Sequence, residues 1–78
     1  MHITYNPEHN VGYIRLKDLK DKVAETLCIS GDLNIDMASD GTIYGIELLN
    51  AKEQLSGTGG SSIVFENQHS HILKEFQL

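Results

Sequence analysis

Three charged side chains are embedded in stretches of this sequence that favour β-strands, namely Arg15, Glu25 and Glu47. An arginine in the middle of a sheet, flanked by two glutamates, can hold the carboxylate or phosphate group of a small ligand. The more common arrangement is a cross-strand ion pair, which supports the register of the sheet. Both interpretations stay open, so these three residues are candidate binding residues, and no residue is assigned a catalytic role.

His69 and His71 are the candidate metal ligands. If this segment is a strand, the spacing places both imidazoles on one face. A metal site needs a third ligand, for which the fold would have to bring His2, His9 or Glu66 close. Two exposed histidines in a tail are the commoner alternative, so the sequence predicts neither a metal site nor a cofactor.

Patterns typical of enzymes are incomplete in this chain. Cys28 is the single cysteine, and no histidine or asparagine signature accompanies it, so we expect a small buried side chain. The glycine-rich segment 57–60 lacks the lysine that ends a phosphate-binding loop. The segment from Asp32 to Asp36 resembles the start of a calcium loop, but Met37 stands where that loop needs glycine. The sequence therefore favours a protein without enzymatic activity.

The charge balance is acidic, with 6 Lys and Arg residues against 11 Asp and Glu residues and a net charge of −5. Residues 30–51 contain four acidic side chains and no Lys or Arg. Such a surface repels nucleic acid and anionic lipid but attracts a basic protein. We therefore expect no nucleic-acid partner and no membrane partner.

The N-terminal residues 1–8 have neither the basic segment nor the apolar segment of a signal peptide. No apolar run approaches the roughly 20 residues of a membrane span. The lone thiol favours a reducing compartment. These features predict a cytoplasmic protein.

Alternation of apolar and polar residues predicts five strands, at residues 3–6, 11–17, 22–29, 32–37 and 42–49. Pro7 and Asp40-Gly41 mark two of the turns, and residues 18–21 form a charged connection. The pattern predicts a mostly β fold, a five-stranded antiparallel meander, over residues 1–55. Asn50 is expected to cap a short helical turn, with Glu53 three residues later completing the cap.

The rest of the chain divides into a Gly/Ser linker at residues 56–62 and a C-terminal extension at residues 63–78. The extension is predicted to be a strand followed by a second short element that pairs back on it or on a partner subunit.

The predicted strands are too apolar for a sheet exposed to water. The second strand carries Ile14 and Leu16 on one face and Val11 and Tyr13 on the other, and the fifth strand is apolar on both faces in the same way. Both faces then need cover. A chain of 78 residues without a disulfide or a zinc site has little core of its own. We therefore expect a homodimer or larger homo-oligomer, as a two-sheet sandwich or closed barrel.

Three motifs occur together in the first two thirds of the chain. They are Tyr-Asn-Pro-Glu-x-x-x-x-Tyr-Ile-Arg-Leu (Tyr5 to Leu16), Val-Ala-Glu-Thr (Val23 to Thr26) and Asp-Gly-x-x-x-Gly-Ile-Glu-Leu-Leu-Asn-Ala (Asp40 to Ala51). The set resembles a widespread prokaryotic family of small uncharacterised proteins, catalogued as a domain of unknown function. The resemblance implies no agreed activity; for some members it implies an antitoxin-like partnership with small ribonuclease-like toxins. Asn6 and Asn10 stand where that family usually carries Asp.

Taken together, the residues favour a small, non-enzymatic, self-associating protein-interaction module, antitoxin-like in one version. Its expected partners are a second copy of the chain and a basic protein. The alternative is a small-ligand or metal-binding protein whose site lies at the subunit interface, near Arg15, Glu25, Glu47 and the histidines.

Overall fold

The computed structural model of the chain describes residues 1–18, 22–57 and 60–77. In these residues there are eight strands and one short helix: β1 (His2–Asn6), β2 (Val11–Arg15), β3 (Val23–Ser30), β4 (Leu33–Ala38), β5 (Ile43–Leu49), α1 (Ala51–Gln54), β6 (Ser56–Gly57), β7 (Gly60–Glu66) and β8 (Leu73–Gln77). Residues 19–21 of the predicted charged connection lie outside the described residues.

Strands β1 to β5 form one antiparallel sheet in the order β1-β2-β5-β4-β3. This confirms the predicted mostly β class and the five-stranded antiparallel sheet. The order differs from that of a simple meander because β5, and not β3, pairs with β2. Strands β3, β4 and β5 do follow one another through tight turns, and this three-stranded unit pairs with β2 through β5. The apolar β5 thereby lies between two neighbours, while β3, with its polar Glu25 and Thr26, takes the edge.

The C-terminal extension forms a hairpin. β7 pairs with β8 in antiparallel register, with Ile63 opposite Phe76. This confirms the predicted strand, and of the two arrangements left open for the second element the described chain has the one that pairs back on it. The predicted linker at residues 56–62 contains β6 and the first residues of β7, and its residues 58 and 59 lie outside the described part of the chain.

An asparagine organises the turn between β1 and β2. The side-chain oxygen of Asn6 accepts hydrogen bonds from the backbone N–H groups of Glu8 and His9, at 2.9 and 3.3 Å. Asn10 closes the turn in the left-handed conformation, with φ of 55°. Asparagine tolerates that conformation better than most residues.

The hairpin turn between β7 and β8 has the same construction. Asn67 accepts hydrogen bonds from the backbone N–H groups of His69 and Ser70, each at 3.0 Å. His71 then adopts the left-handed conformation, with φ of 61°. The chain therefore uses one turn design twice, once in each sheet.

The N-terminus of α1 is capped by Asn10 from a distant turn, which corrects the prediction that Asn50 caps it. Asn50 has φ of 51° and makes no side-chain cap hydrogen bond; its amide instead donates to Asp32 at 2.8 Å. A side-chain cap needs an extended backbone, whereas Asn50 must turn the chain sharply between β5 and α1. The side-chain oxygen of Asn10 accepts from the backbone N–H of Lys52 at 2.9 Å.

Asn10 uses its other polar atoms as well. Its side-chain oxygen also accepts from the Tyr5 hydroxyl at 3.0 Å, its amide donates to Glu53 at 2.5 Å, and its backbone carbonyl accepts from Ala51 at 3.0 Å. Ala51 is fully buried and packs over Gly12, where an added Cβ would lie 3.4 Å from the Ala51 Cβ. Asn10 thus joins β1, its turn and α1.

Replacing Asn10 by Asp should destabilise the protein, because Asp loses the amide donor and places a second carboxylate beside Glu53. We expect the free energy of unfolding to fall by about 1–3 kcal/mol, measured by chemical denaturation at neutral pH and fixed protein concentration. The double variant Asn10→Asp with Glu53→Gln restores a donor and should recover most of the loss. A double variant no more stable than Asn10→Asp would contradict the described pairing.

Candidate functional site: the two faces of the five-stranded sheet

An unbroken row of aliphatic side chains crosses one face of the five-stranded sheet. In the register of the strands, Ile3 lies opposite Ile14, and Ile14 lies opposite Ile46. Ile46 lies opposite Ile35, and Ile35 lies opposite Leu27. These five residues, one from each strand, are called the apolar row. Since side chains alternate between faces along a strand, this face has the composition of a protein core.

The apolar row is not covered by the rest of the described chain. Ile3 and Leu27, at its two ends, are 44% and 39% exposed, and the three isoleucines between them are only partly buried. Among the described residues, the buried apolar ones are Ala38 and Ala51. A face of this size and composition marks an interaction surface.

The accessible surface is larger than that of a compact monomer. It amounts to 5781 Å² for a chain of 8.7 kDa, whereas a compact monomeric protein of that mass exposes about 4,700 Å². The radius of gyration is 14.0 Å, against about 11.5 Å for a compact domain of this length. The excess surface, about 1,000 Å² by the same scaling, reflects the open sheet face and the separate hairpin.

A groove of about 640 Å³ separates the β1 edge of the sheet from the C-terminal hairpin. Its lining is mainly apolar and comes from both sides: Met1, Ile3, Thr4 and Tyr5 from the N-terminal segment, and Ile63, Val64, Phe65, Lys74 and Phe76 from the hairpin. Phe65 and Phe76 remain 59% and 57% exposed. The hairpin therefore lies beside the β1 edge, across this groove, without closing on the sheet.

The opposite face is polar through its middle, which corrects the prediction that both faces are apolar. The Tyr13 hydroxyl donates to one oxygen of Asp36 at 2.6 Å, and the Thr26 hydroxyl donates to the other oxygen at 2.6 Å. The amide of Asn34 donates to Glu47 at 2.9 Å. Partial burial and the hydrogen bond to the Asp36 carboxylate raise the pKa of the Tyr13 phenol. These groups satisfy one another, so this face can remain in water.

Gly45 makes room for this network. The ring of Tyr13 crosses over Gly45 to reach Asp36 on the next strand. A Cβ on Gly45 would lie 2.5 Å from the Tyr13 hydroxyl oxygen and 2.7 Å from two ring carbons. The glycine is needed for space, and not for an unusual backbone conformation.

The structure separates the three candidate binding residues. Arg15 and Glu47 lie on the polar face of neighbouring strands, but Arg15 pairs in register with Gly45, and no ion pair joins it to Glu47. Glu25 lies opposite Met37, on the apolar face and three strands away from Arg15, a distance of about 14 Å. Arg15 instead lines a shallow depression of about 420 Å³ together with His2 and Lys17.

The remaining candidates also lie apart. His69 is in the turn of the C-terminal hairpin and His71 follows it, so the two are not neighbours on a strand face. No three His, Cys, Asp or Glu side chains of the described residues lie close enough together to hold a metal ion. Cys28 is exposed, contrary to the expected burial, because β3 is an edge strand.

Residue patterns predicted apolar faces on single strands, but not how the five residues of the apolar row line up, and they missed the role of Asn10. Both depend on which strands become neighbours and in which register, and a single sequence specifies those contacts only weakly. The alternation in β4 did place Asn34 and Asp36 on one face, which was the available signal for the polar network.

The family model for the protein of unknown function DUF2283 matches residues 2–52. The chain belongs to the DUF2283 family. The match spans β1 to β5 and ends inside α1, so the DUF2283 unit is the five-stranded sheet together with the start of its helix. The C-terminal hairpin lies beyond the match.

Nothing among curated proteins and nothing among solved structures matches this DUF2283 chain. No helix of the described residues combines the length and the apolar composition needed to cross a membrane.

Replacing Gly45 by Ala should push the Tyr13 ring aside and weaken its hydrogen bond to Asp36. We expect a loss of about 1–3 kcal/mol in the free energy of unfolding, as for other overpacked sites, measured by chemical denaturation. Gly31→Ala is the matched control, because an added Cβ there has no neighbour within 4 Å, and it should be neutral or slightly stabilising. Equal effects of the two substitutions would contradict the assigned role of Gly45.

Proposed function

We propose that this chain is a self-associating protein-interaction module, which works as a homodimer with the apolar rows of two copies packed face to face. The observation that carries the proposal is the exposed apolar row, from Ile3 on β1 to Leu27 on β3. A face to which every strand contributes one aliphatic side chain fits a second sheet of the same kind.

A second copy is the simplest cover for this face. Two twisted sheets pack face to face about 10 Å apart, with side chains of both filling the space between them. A standard interface removes about 800 Å² from each partner, which is comparable with the excess surface of the single chain. The same face on both copies gives the closed, isologous contact of a two-fold dimer.

Dimerisation leaves the polar faces outside. They carry Asp36 and Glu47 from the segment 30–51, which has no Lys or Arg. An acidic outer surface supports binding to a basic protein, and an antitoxin-like role is one form of such binding. The edge strand β3, exposed along its whole length, offers backbone groups to which an extended segment of a partner can pair.

A reducing compartment such as the cytoplasm suits this module. Cys28 is a free, exposed thiol, and an exposed thiol persists unpaired where thiols are kept reduced.

Ile3→Lys and His2→Lys test the proposed dimer as a matched pair. The two residues are neighbours on β1, both are exposed in the single chain, and their side chains point to opposite faces. A lysine at position 3 enters the interface without a partner, so we expect the dimer dissociation constant to rise at least about 100-fold. His2→Lys should leave it within about threefold, a difference of less than 1 kcal/mol.

Sedimentation equilibrium over a range of concentrations gives the dimer dissociation constants of both variants and of the unaltered protein. Circular dichroism then shows whether any monomer that forms keeps its β structure. Equal dissociation constants for the two variants would count against a dimer formed through the apolar row.

A further inference from the structure

We propose that the C-terminal hairpin, β7 with β8, covers the β3 side of the apolar face of the partner subunit, where Lys74 pairs with Glu25 of the partner subunit. The inference rests on the proposed homodimer, and it adds the orientation of the two sheets and a specific contact between them.

The hairpin and the least covered part of the sheet lie on opposite sides of the molecule. The hairpin borders the groove beside β1, whereas every residue of β3 is exposed. β3 is the other edge of the sheet, four strand spacings from β1, which is about 19 Å. Within one chain, the hairpin beside β1 does not cover β3.

Two-fold symmetry resolves this mismatch. An axis that runs between the two sheets, parallel to the strands, places β1 of one copy over β3 of the other. Each hairpin then lies against the β3 side of the opposite copy. An axis perpendicular to the strands would place β1 over β1, and the two hairpins would compete for the same space. The position of the hairpin therefore selects the first arrangement.

Charge complementarity supports the same arrangement. Glu25 lies on the apolar face, opposite Met37, so a face-to-face dimer would bury its carboxylate. Lys74 lies on the hairpin beside the groove, in register with Phe65. Neither residue forms an ion pair within the described chain. A charge that is buried on assembly is strongly unfavourable without an opposite charge nearby, and each of these residues supplies what the other lacks.

The hairpin also brings apolar surface to the contact. Ile63 and Phe76 pair across the two strands, and both line the groove. Phe65 and Phe76 are more than half exposed in the single chain. Placing these aromatic side chains against Leu27 of the partner subunit buries both surfaces in one contact.

Charge reversal tests this pairing. Glu25→Lys and Lys74→Glu should each raise the dimer dissociation constant about tenfold, and the double variant should return to within about threefold of the original value. Lys74→Glu combined with Glu8→Lys is the control, because Glu8 lies in the exposed turn between β1 and β2. The dissociation constant of this combination should remain about tenfold above the original value.

A mixing experiment shows whether the pairing connects two chains. In each homodimer of a single variant, both contacts bring like charges together. In a heterodimer of E25K and K74E chains, both intersubunit contacts are complementary, whereas any contact within one chain would still be repulsive. Native mass spectrometry of an equal mixture, with one chain isotopically labelled, should therefore show more heterodimer than random pairing gives.

The outcomes separate the two proposals. Two results would overturn the hairpin contact and leave the dimer itself in place. One is an equal mixture with no preference for the heterodimer, and the other is a double variant that dimerises more weakly than either single variant. A monomer at all concentrations overturns the homodimer and the hairpin contact together.

Discussion

The constraint on which this structure depends is the exposure of one continuous aliphatic row across a sheet of five strands. A folded chain of 78 residues must offset the conformational entropy of every ordered residue, about 1–2 kcal/mol for each backbone. The single chain buries few apolar side chains for this purpose, since even Ile14, Ile35 and Ile46 are only partly covered. The apolar row supplies the missing burial only when a second surface covers it, so folding and association are expected to be coupled.

The other described contacts leave that face open for a partner. On the opposite side, Tyr13 and Thr26 bind the two oxygens of Asp36 and tie β2, β4 and β3 together while leaving that side polar. At one end of the sheet, Asn10 holds α1 against Gly12. At the corner near β2, Lys17 and Asp40 form a salt bridge at 3.2 Å. These contacts fix the relative positions of the strands without filling the apolar side.

Sequence patterns predicted the class of fold, the approximate limits of the first five strands and a strand at the start of the C-terminal extension. Period-two alternation and the turn residues Pro7 and Asp40-Gly41 carry that information locally. The strand order was not predictable in this way, because alternation assigns a residue to a face but does not choose its neighbour. For the same reason, Arg15, Glu25 and Glu47 were predicted to lie near one another, whereas the strand order places Glu25 three strands away from Arg15 and the register of β3 with β4 places it on the other face. Asn50 looked like a helix cap because local rules do not foresee a cap supplied by Asn10, 42 positions away from Lys52.

The most direct test of this account is to follow mass and β structure together as the protein is diluted, by sedimentation and circular dichroism on the same samples. If association supplies the missing core, the dimer signal and the β-sheet signal should fall together, and the unfolding temperature should rise with protein concentration. A monomer that keeps its full β-sheet signal at the lowest concentrations, with an unfolding temperature independent of concentration, would contradict the account.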